Sequence, residues 1–536
     1  MFERIKKTMR DALIKAGAVT ETSKEFKSIF DLDGVPSFNT FYNIGIFPWK
    51  FIYKGFYKPW HYIAAPTIAD PKAHRNMAYL SLAKAVCAEL AGMVWTDQCA
   101  VNVSINGYEG EDDPLEDYIE HVLRKNNFMQ KMQESIEQAA ALGGEALKVW
   151  YESKRDADGN EIPETGEVKI GYAMADQFVP IAWDNAEVTE GIFVTRTAKG
   201  GWYYTKLEWH TWTGLTYIVR NELYRSEIQK DGVGENQDIL GYRYPLAALY
   251  PFLDEEVIIP VNHSLFTYFR TPIANNIDDN SPLGVSIYGN ALETLHAIDI
   301  VFDSFVREFR LGKKRIIVPA RMIKHVVDPV TGALFRYFDA NDETYEALST
   351  DDPDTLKIQD NSVSLRVDEH VGALNAFLNV FCLQVGLSAG TFSFDASSGL
   401  KTATEVVSEN SKTYKTVKNF QNQIVPAIER LVDAIINVAS LYEVTWNGQS
   451  VAEMARPGYE VKVTLDDGIT QDRQTNINEG VTLVASGLMS KFTFLTDPKY
   501  GQNLTEEDAI AELKRIADES TVTMPTLDVM DYNGAE

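Results

Sequence analysis

The sequence predicts an α+β chain, mainly helical and divided among several domains. Three observations carry this. At 536 residues the chain is too long for one ordinary core. Residues 286–311 and 368–442 repeat apolar side chains at helical steps of three and four. Residues 169–225 instead carry alternating and β-branched runs. The 45% apolar and 11% aromatic fractions belong to a folded chain rather than a disordered one.

Taken in order, residues 1–18 read as a short helix. Residues 38–62 are dense in aromatics, including Phe41, Tyr42, Phe47, Trp49 and Trp60, and read as packing or a subunit contact. Residues 72–95 read as a helix with Met77, Leu80, Leu82, Val86, Leu90 and Met93 inside. Residues 113–150 read as two further helical segments broken near Gly143-Gly144. Residues 191–196, 202–205 and 215–220 read as antiparallel strands, with Gly200-Gly201 as a hairpin turn and 227–240 as a polar loop.

The helix expected over 286–311 presents Leu295, Ile298, Phe302, Phe305 and Phe309, with Glu293, Asp299, Asp303 and Glu308 interspersed. Gly312 stops it. Arg307, Arg310, Lys313, Lys314 and Arg315 crowd its end, where cations complement the helix dipole. Residues 315–319 and 333–338 read as strands, Asp328-Pro329 and Thr331-Gly332 as turns, and 339–360 as an acidic loop. Two long helices therefore bracket a small α/β insertion. The second starts with Asp368 as its cap. It carries Val371, Leu374, Phe377, Leu378, Phe381, Cys382 and Val385 as one stripe, and ends at Gly386.

A loop of small residues follows, and then Thr402-Ala403-Thr404-Glu405 fits a capping box. From there an apolar period runs to Tyr442, which at ~1.5 Å per residue makes a helix of ~60 Å. Pro426 lies inside it and predicts a kink, because it removes one backbone bond and clashes one turn back. Residues 459–465 read as a strand, and 472–486 and 505–519 as helices.

The formal net charge of -27 favours solubility and opposes binding to nucleic acid by this surface alone. Cys87, Cys99 and Cys382 form no C-x-x-C pair, which argues for a reducing compartment and against a disulfide framework or a zinc site. Residues 1–18 lack an apolar core of signal-peptide type, and no run of about 18 apolar residues is present to span a membrane.

Neither a Walker-type phosphate loop nor His-Glu-x-x-His occurs, and Gly284 to Gly289 is one residue too long for a nucleophile elbow. His296 and His370 read as packed or surface residues. No metal and no cofactor is expected. Ile29-Phe30-Asp31-Leu32-Asp33-Gly34-Val35 resembles the first motif of haloacid-dehalogenase-type phosphatases. That resemblance implies Asp31 as nucleophile and Asp33 as general acid beside magnesium. Polar residues Glu25, Lys27 and Ser28 stand where that family has an apolar strand, and the acidic pair Asp466-Asp467 lies far downstream. A turn at Asp31, Asp33 and Gly34 explains the same residues. The chain is expected not to be an enzyme.

The order of helix, insertion, helix, small-residue loop and kinked helix resembles the portal proteins of tailed bacteriophages, in particular those of phages of Gram-positive hosts. The most specific stretches are Val385-Gly-Leu-Ser-Ala-Gly-Thr391, Lys401-Thr-Ala-Thr-Glu405 and Gln423-Ile-Val-Pro-Ala-Ile428. Val463-Thr-Leu-Asp-Asp467, Asp472-Arg473 and Ala485-Ser-Gly-Leu-Met-Ser490 add to the set. The resemblance implies a ring of usually about twelve copies. In it, residues 1–285 form the wing, 286–312 and 367–386 the stem helices, and 313–366 the clip, with Lys313, Lys314 and Arg315 at its interface. Residues 387–401 form the tunnel loop, with Ser397, Ser398, Gly399 and Lys401 facing DNA. Residues 402–456 form the long wing helix kinked at Pro426, and 457–536 the crown.

The implied partners are double-stranded DNA passing non-specifically, the terminase large subunit, a head-tail adaptor, the major capsid protein and a scaffold, with no membrane. The implied place is the portal vertex of the virion capsid, after assembly in the host cytoplasm. An acidic conduit suits passage, since a basic lining would release counterions from the phosphates and grip them. Small loop residues touch a backbone without reading bases. A ring that conducts no DNA is the remaining alternative beside the phosphatase.

Overall fold

The computed structural model describes residues 25–522 except 67–69, 109, 111–112, 156–160, 186, 229–238, 313–315, 318–323, 328–331, 333, 338–358, 361–363, 395–410, 466–472, 498–499 and 501–503. Two compact units are present, residues 1–396 with 415–466, and residues 397–414 with 467–536.

The first unit opens with its aromatic run. A π-helical turn, Tyr42–Ile46, leads into α1 (Phe47–Tyr53). Phe41, Tyr42 and Trp49 are buried in the core, and the Tyr42 hydroxyl donates to the Phe178 carbonyl. β1 (Tyr62–Ala64) pairs antiparallel with β2 (His74–Asn76). The helix expected from residue 72 therefore begins only at α2 (Leu82–Val94). Two causes are visible. The amides of Ala78 and Leu80 bond to carboxylates of Asp303 and Asp299, and Ser81 stands at φ 52, a left-handed conformation that interrupts a helix.

β3 (Ala100–Ile105) follows, then α3 (Pro114–Lys125), capped by Asp113 through the amides of Leu115 and Glu116. α4 (Phe128–Leu142) ends at Gly143, φ 96. Both helices thus precede the glycine pair, and β4 (Gly144–Arg155) occupies the stretch expected to be the second helix. Ala-Leu-Lys are good helix formers, but propensity is worth only tenths of a kcal/mol per residue, and pairing on both edges of β4 overrides it, burying Ala146, Leu147 and Val149. A side chain on Gly143 would meet the Gly284 carbonyl oxygen at 2.2 Å, so this crossing admits only glycine.

β5 (Glu161–Met174), β6 (Phe178–Asp184), β7 (Glu187–Lys199), β8 (Trp202–Thr213), β9 (Thr216–Glu227), β10 (Tyr242–Tyr244), β11 (Glu256–Ile259) and β12 (Phe266–Arg270) complete two sheets. One has the order β10-β9-β8-β7-β6, with β11 also paired to β9; the other is β12-β4-β5. Gly200 and Gly201, at φ 61 and 83, make the two-residue turn between Lys199 and Trp202 that the sequence predicts.

α5 (Leu292–Leu311) starts at Leu292, not Ser286. The expected first turn is pinned elsewhere: Ser286 is buried, and Ile287 donates its amide to Ala140 at 2.9 Å. In the insertion β13 (Ile316–Ile317) pairs with β16 (Gln359–Asp360), enclosing the hairpin of β14 (Lys324–Val327) and β15 (Leu334–Tyr337). The expected strands are present, and among the described residues the insertion holds strands and no helix.

α6 (Val367–Val385) has Arg366 at its N-cap, without a side-chain cap. Asp368 is thus not the cap. It lies in the first turn with Glu369, where both favour the dipole. α7 (Ser411–Leu441) runs through Pro426. A short hairpin of β17 (Thr445–Trp446) and β18 (Gln449–Ser450) follows. β19 (Tyr459–Thr464) then pairs with β3, joining chain far apart in sequence. In the second unit α8 (Arg473–Ala485), α9 (Lys491–Thr496) and α10 (Glu506–Val522) are present. Residues 1–18 and the capping box at 402–405 lie outside the described residues.

Candidate functional site

The long helices α5 and α6 pack against each other. Leu295 and Ile298 of α5, and Leu374, Leu378, Phe381, Cys382 and Val385 of α6, are buried. The expected stripes are thus correct at one end and bare at the other. Phe309 is 49% exposed, Phe377 is exposed too, and so are Ile300, Val380 and Leu383, the last at 64%. Phe309 is the bare end of its stripe, while Ile300, Val380 and Leu383 stand off the buried stripes and face solvent in the single chain.

Two carboxylates of α5, one turn apart, fasten residues 57–80 to it. Asp299 Oδ1 accepts the Leu80 amide at 2.9 Å, and its Oδ2 lies 3.1 Å from His61 Nε2. His61 Nδ1 accepts the Tyr57 amide at 2.9 Å, so Nε2 carries the proton and donates it toward Asp299. Asp303 accepts both Arg75 terminal nitrogens, at 2.8 and 2.6 Å, and the Ala78 amide at 3.0 Å. The hydrogen bond from Arg75 is the main cause holding the Asp303 carboxyl below the usual carboxylate range. Sequence reasoning placed these acids only as interspersed residues. The legible signal was their spacing of four beside Leu295 and Ile298, which puts them on the buried side.

The insertion is drawn together at its base. Arg366 donates to both Glu308 oxygens, at 3.1 and 2.9 Å, in the planar fork that guanidinium favours. A side chain on Gly312 would meet Leu365 at 2.6 Å, so the outgoing and returning chains touch there. Lys313, Lys314 and Arg315 lie outside the described residues.

At the other end Gly386, φ 84, stops α6, and Thr416 of α7 donates its hydroxyl to the Gly386 carbonyl at 2.6 Å. The chain then folds back along α6. Asn379 Oδ1 accepts the Gly390 amide at 3.0 Å, and Asn375 Oδ1 accepts the Phe394 amide at 2.9 Å. The first half of the loop is thereby held on a rigid helix. Ser397, Ser398, Gly399 and Lys401 lie outside the described residues. On α7, Phe420, Ile424, Ile428, Leu431 and Ile435 are buried while Pro426 faces solvent, so the carbonyl it leaves unpaired can bond to water.

Other sequence candidates resolve structurally. Asp31 Oδ2 accepts the amides of Lys27 and Ser28, both at 3.0 Å, closing a capping box on the single turn Ile29–Asp31. His296 stacks on Trp60 at 4.8 Å, and His370 packs on Phe305 at 5.1 Å. Cys87, Cys99 and Cys382 are buried and form no disulfide. No described helix is long and apolar enough to cross a membrane.

The profile of a family described as "Phage portal protein, SPP1 Gp6-like" matches residues 49–525. Among solved structures, a chain from the neck of an empty GTA particle computed with C6 symmetry is similar at 13% identity and TM-score 0.38, covering 77% of this chain and 88% of that one. A chain from the virion of a native gene transfer agent particle is similar at 9% identity and TM-score 0.36, with the same coverage of 77% and 88%. No curated protein matches.

Proposed function

We infer the role of this chain from the family to which it belongs, the SPP1 Gp6-like phage portal proteins. As such it is a component of the virion, at the portal vertex of the capsid. We propose further that about twelve copies close into a ring around a central channel. Double-stranded DNA passes through that channel during packaging and again during ejection, without sequence recognition. Residues 313–366 dock the terminase large subunit first and the head-tail adaptor later, while the major capsid protein and the scaffold meet the outer part of the ring. The chain acts without catalysis.

The single observation that carries this reading is the family match over residues 49–525. Two physical features support it. Ile300, Phe377, Val380 and Leu383 are exposed apolar side chains on α5 and α6 that an adjacent copy would cover. The formal charge of -27 per copy makes the assembled wall repel phosphate, so that DNA slides and does not stick. Lys401, in the loop following α6, is then the cation proposed to touch the passing backbone.

The test uses the Lys401→Glu protein in a packaging reaction, beside native mass spectrometry of the same sample. The reading expects an intact ring and impaired packaging. Normal packaging removes the role of Lys401, and a monomeric or dimeric wild-type protein removes the ring itself.

A further inference from the structure

The strand β11 has one paired edge and one open edge. Asn221 donates its amide to the Glu255 carbonyl at 2.7 Å, and Val257 and Ile259 stand opposite Val219 and Tyr217 of β9. In an antiparallel ladder the N–H and C=O of one residue point to the same side and alternate along the strand. Glu256 and Ile258 therefore direct their backbone groups away from β9. Among the described residues no strand pairs with that side of β11.

The side chains along this edge are unusual for a surface. Ile258 is 64% exposed, and Val257 and Phe252 are exposed as well. Leu215, at the hairpin turn beside the end of β11, is 96% exposed. An open edge bearing aliphatic side chains is a template for strand addition, which soluble proteins normally blunt with lysine, proline or a covering segment. Here the residues leading into the strand are Asp254, Glu255 and Glu256. Arg220, opposite Glu256, is turned over the Trp209 ring at 4.6 Å and toward Glu222 at 3.5 Å, and Arg155 lies over the Phe252 ring at 4.9 Å.

This charge pattern selects the occupant. Antiparallel pairing of two copies along β11, with Glu256 opposite Ile258, would set Glu255 and Glu256 against Ile259 and Ile258 of the second copy and so give the carboxylates no opposing cation. We propose that the open edge of β11 receives an extended segment of a different protein, with lysine or arginine against Asp254, Glu255 and Glu256 and aliphatic residues beside Val257 and Ile258. Backbone hydrogen bonds to Glu256 and Ile258 supply the docking, and the charges supply the selection. This surface uses none of the residues assigned to the channel loop or to the insertion between α5 and α6.

The experiment follows amide hydrogen exchange in the full chain. The probe is a blocked peptide of about ten alternating lysines and valines, and its counterpart has glutamate for lysine. The Lys-Val peptide is expected to slow exchange at Glu256 and Ile258 at least tenfold, and the protection to fade as salt rises from about 50 to about 500 mM. The Glu-Val peptide should give none. Ile258→Pro removes only an outward N–H, a change an edge strand tolerates, and should abolish the protection. Replacing Glu255 and Glu256 together by lysine should transfer the preference to the Glu-Val peptide. The proposal is overturned if the Lys-Val peptide leaves both amides unprotected, if the two peptides protect equally, or if concentrated wild-type protein protects these amides by itself.

Discussion

Removing the carboxylate of Asp303 should free residues 75–80 from α5 without unfolding the chain. In the native protein this group holds the Arg75 guanidinium through two bonds of 2.8 and 2.6 Å and the Ala78 amide at 3.0 Å. Hydrogen bonds to a charged group contribute about 1.5–3 kcal/mol each, and breaking a buried ion pair costs about 3–5 kcal/mol. The Arg75 side chain is 27% exposed and regains water once released, which lowers the figure. Asp303→Ala should therefore favour local opening by about 2–3 kcal/mol, roughly thirty- to a hundred-and-fiftyfold faster exchange of the Ala78 amide.

The pH dependence has a definite sign. The folded carboxyl titrates below its unfolded value, so its contribution is fully present above the usual carboxylate range. It disappears as pH falls through the folded value. Exchange at Ala78, corrected for the intrinsic rate, should accelerate on acidification in the wild type and be flat in the variant. Unchanged exchange at Ala78 in Asp303→Ala would show that the Asp299 bonds and packing hold the segment without Asp303.

Three further outcomes follow from the same geometry. Gly386→Ala forces a side chain to φ 84 and to 2.7 Å from the Thr416 hydroxyl; it should cost about 1–2 kcal/mol and loosen the start of the loop, read as faster exchange at Gly390. Glu208 bonds Lys148, Lys206 and His210 at 2.7–3.0 Å, and despite the opposing effect of burial, Lys148 above all holds its carboxyl well below the usual range. Glu208→Gln should destabilise the sheet by about 3 kcal/mol by leaving Lys148 uncompensated, seen as a lower unfolding temperature and a loss of the wild type's acid sensitivity. Pro426→Ala restores a backbone donor in α7 and should straighten it, read as a longer distance between spin labels on its two halves; an unchanged distance would mean that the proline bends nothing.

What the sequence revealed and what it hid differ in kind. The stop at Gly386, the hairpin at Gly200-Gly201 and two of the insertion's strands, β13 and β15, were legible, because each depends on local backbone preference or a period of two. The end of α4 at Gly143 was legible too, but not that the chain beyond it becomes β4. That depends on β5 and β12, partners distant in the chain. Residues 72–81 had a helical pattern and are not helical, because Asp299 and Asp303 take their amides. The carboxylates that anchor α5 were visible as residues but not as acceptors, since nothing local names Arg75 or His61 as their partners. The exposed side of α5 and α6 was hidden for another reason: a helical stripe shows that a face is apolar, not which molecule covers it.

The central claim is a DNA-conducting ring, and an electron cryomicroscopy reconstruction of the purified oligomer tests it most directly. The account predicts a closed ring of about twelve copies, with α5 and α6 around the axis and the loop after α6 at the narrowest point of an opening that admits a B-form duplex. An open or axially blocked assembly, or a ring with that loop on its outer surface, would contradict it.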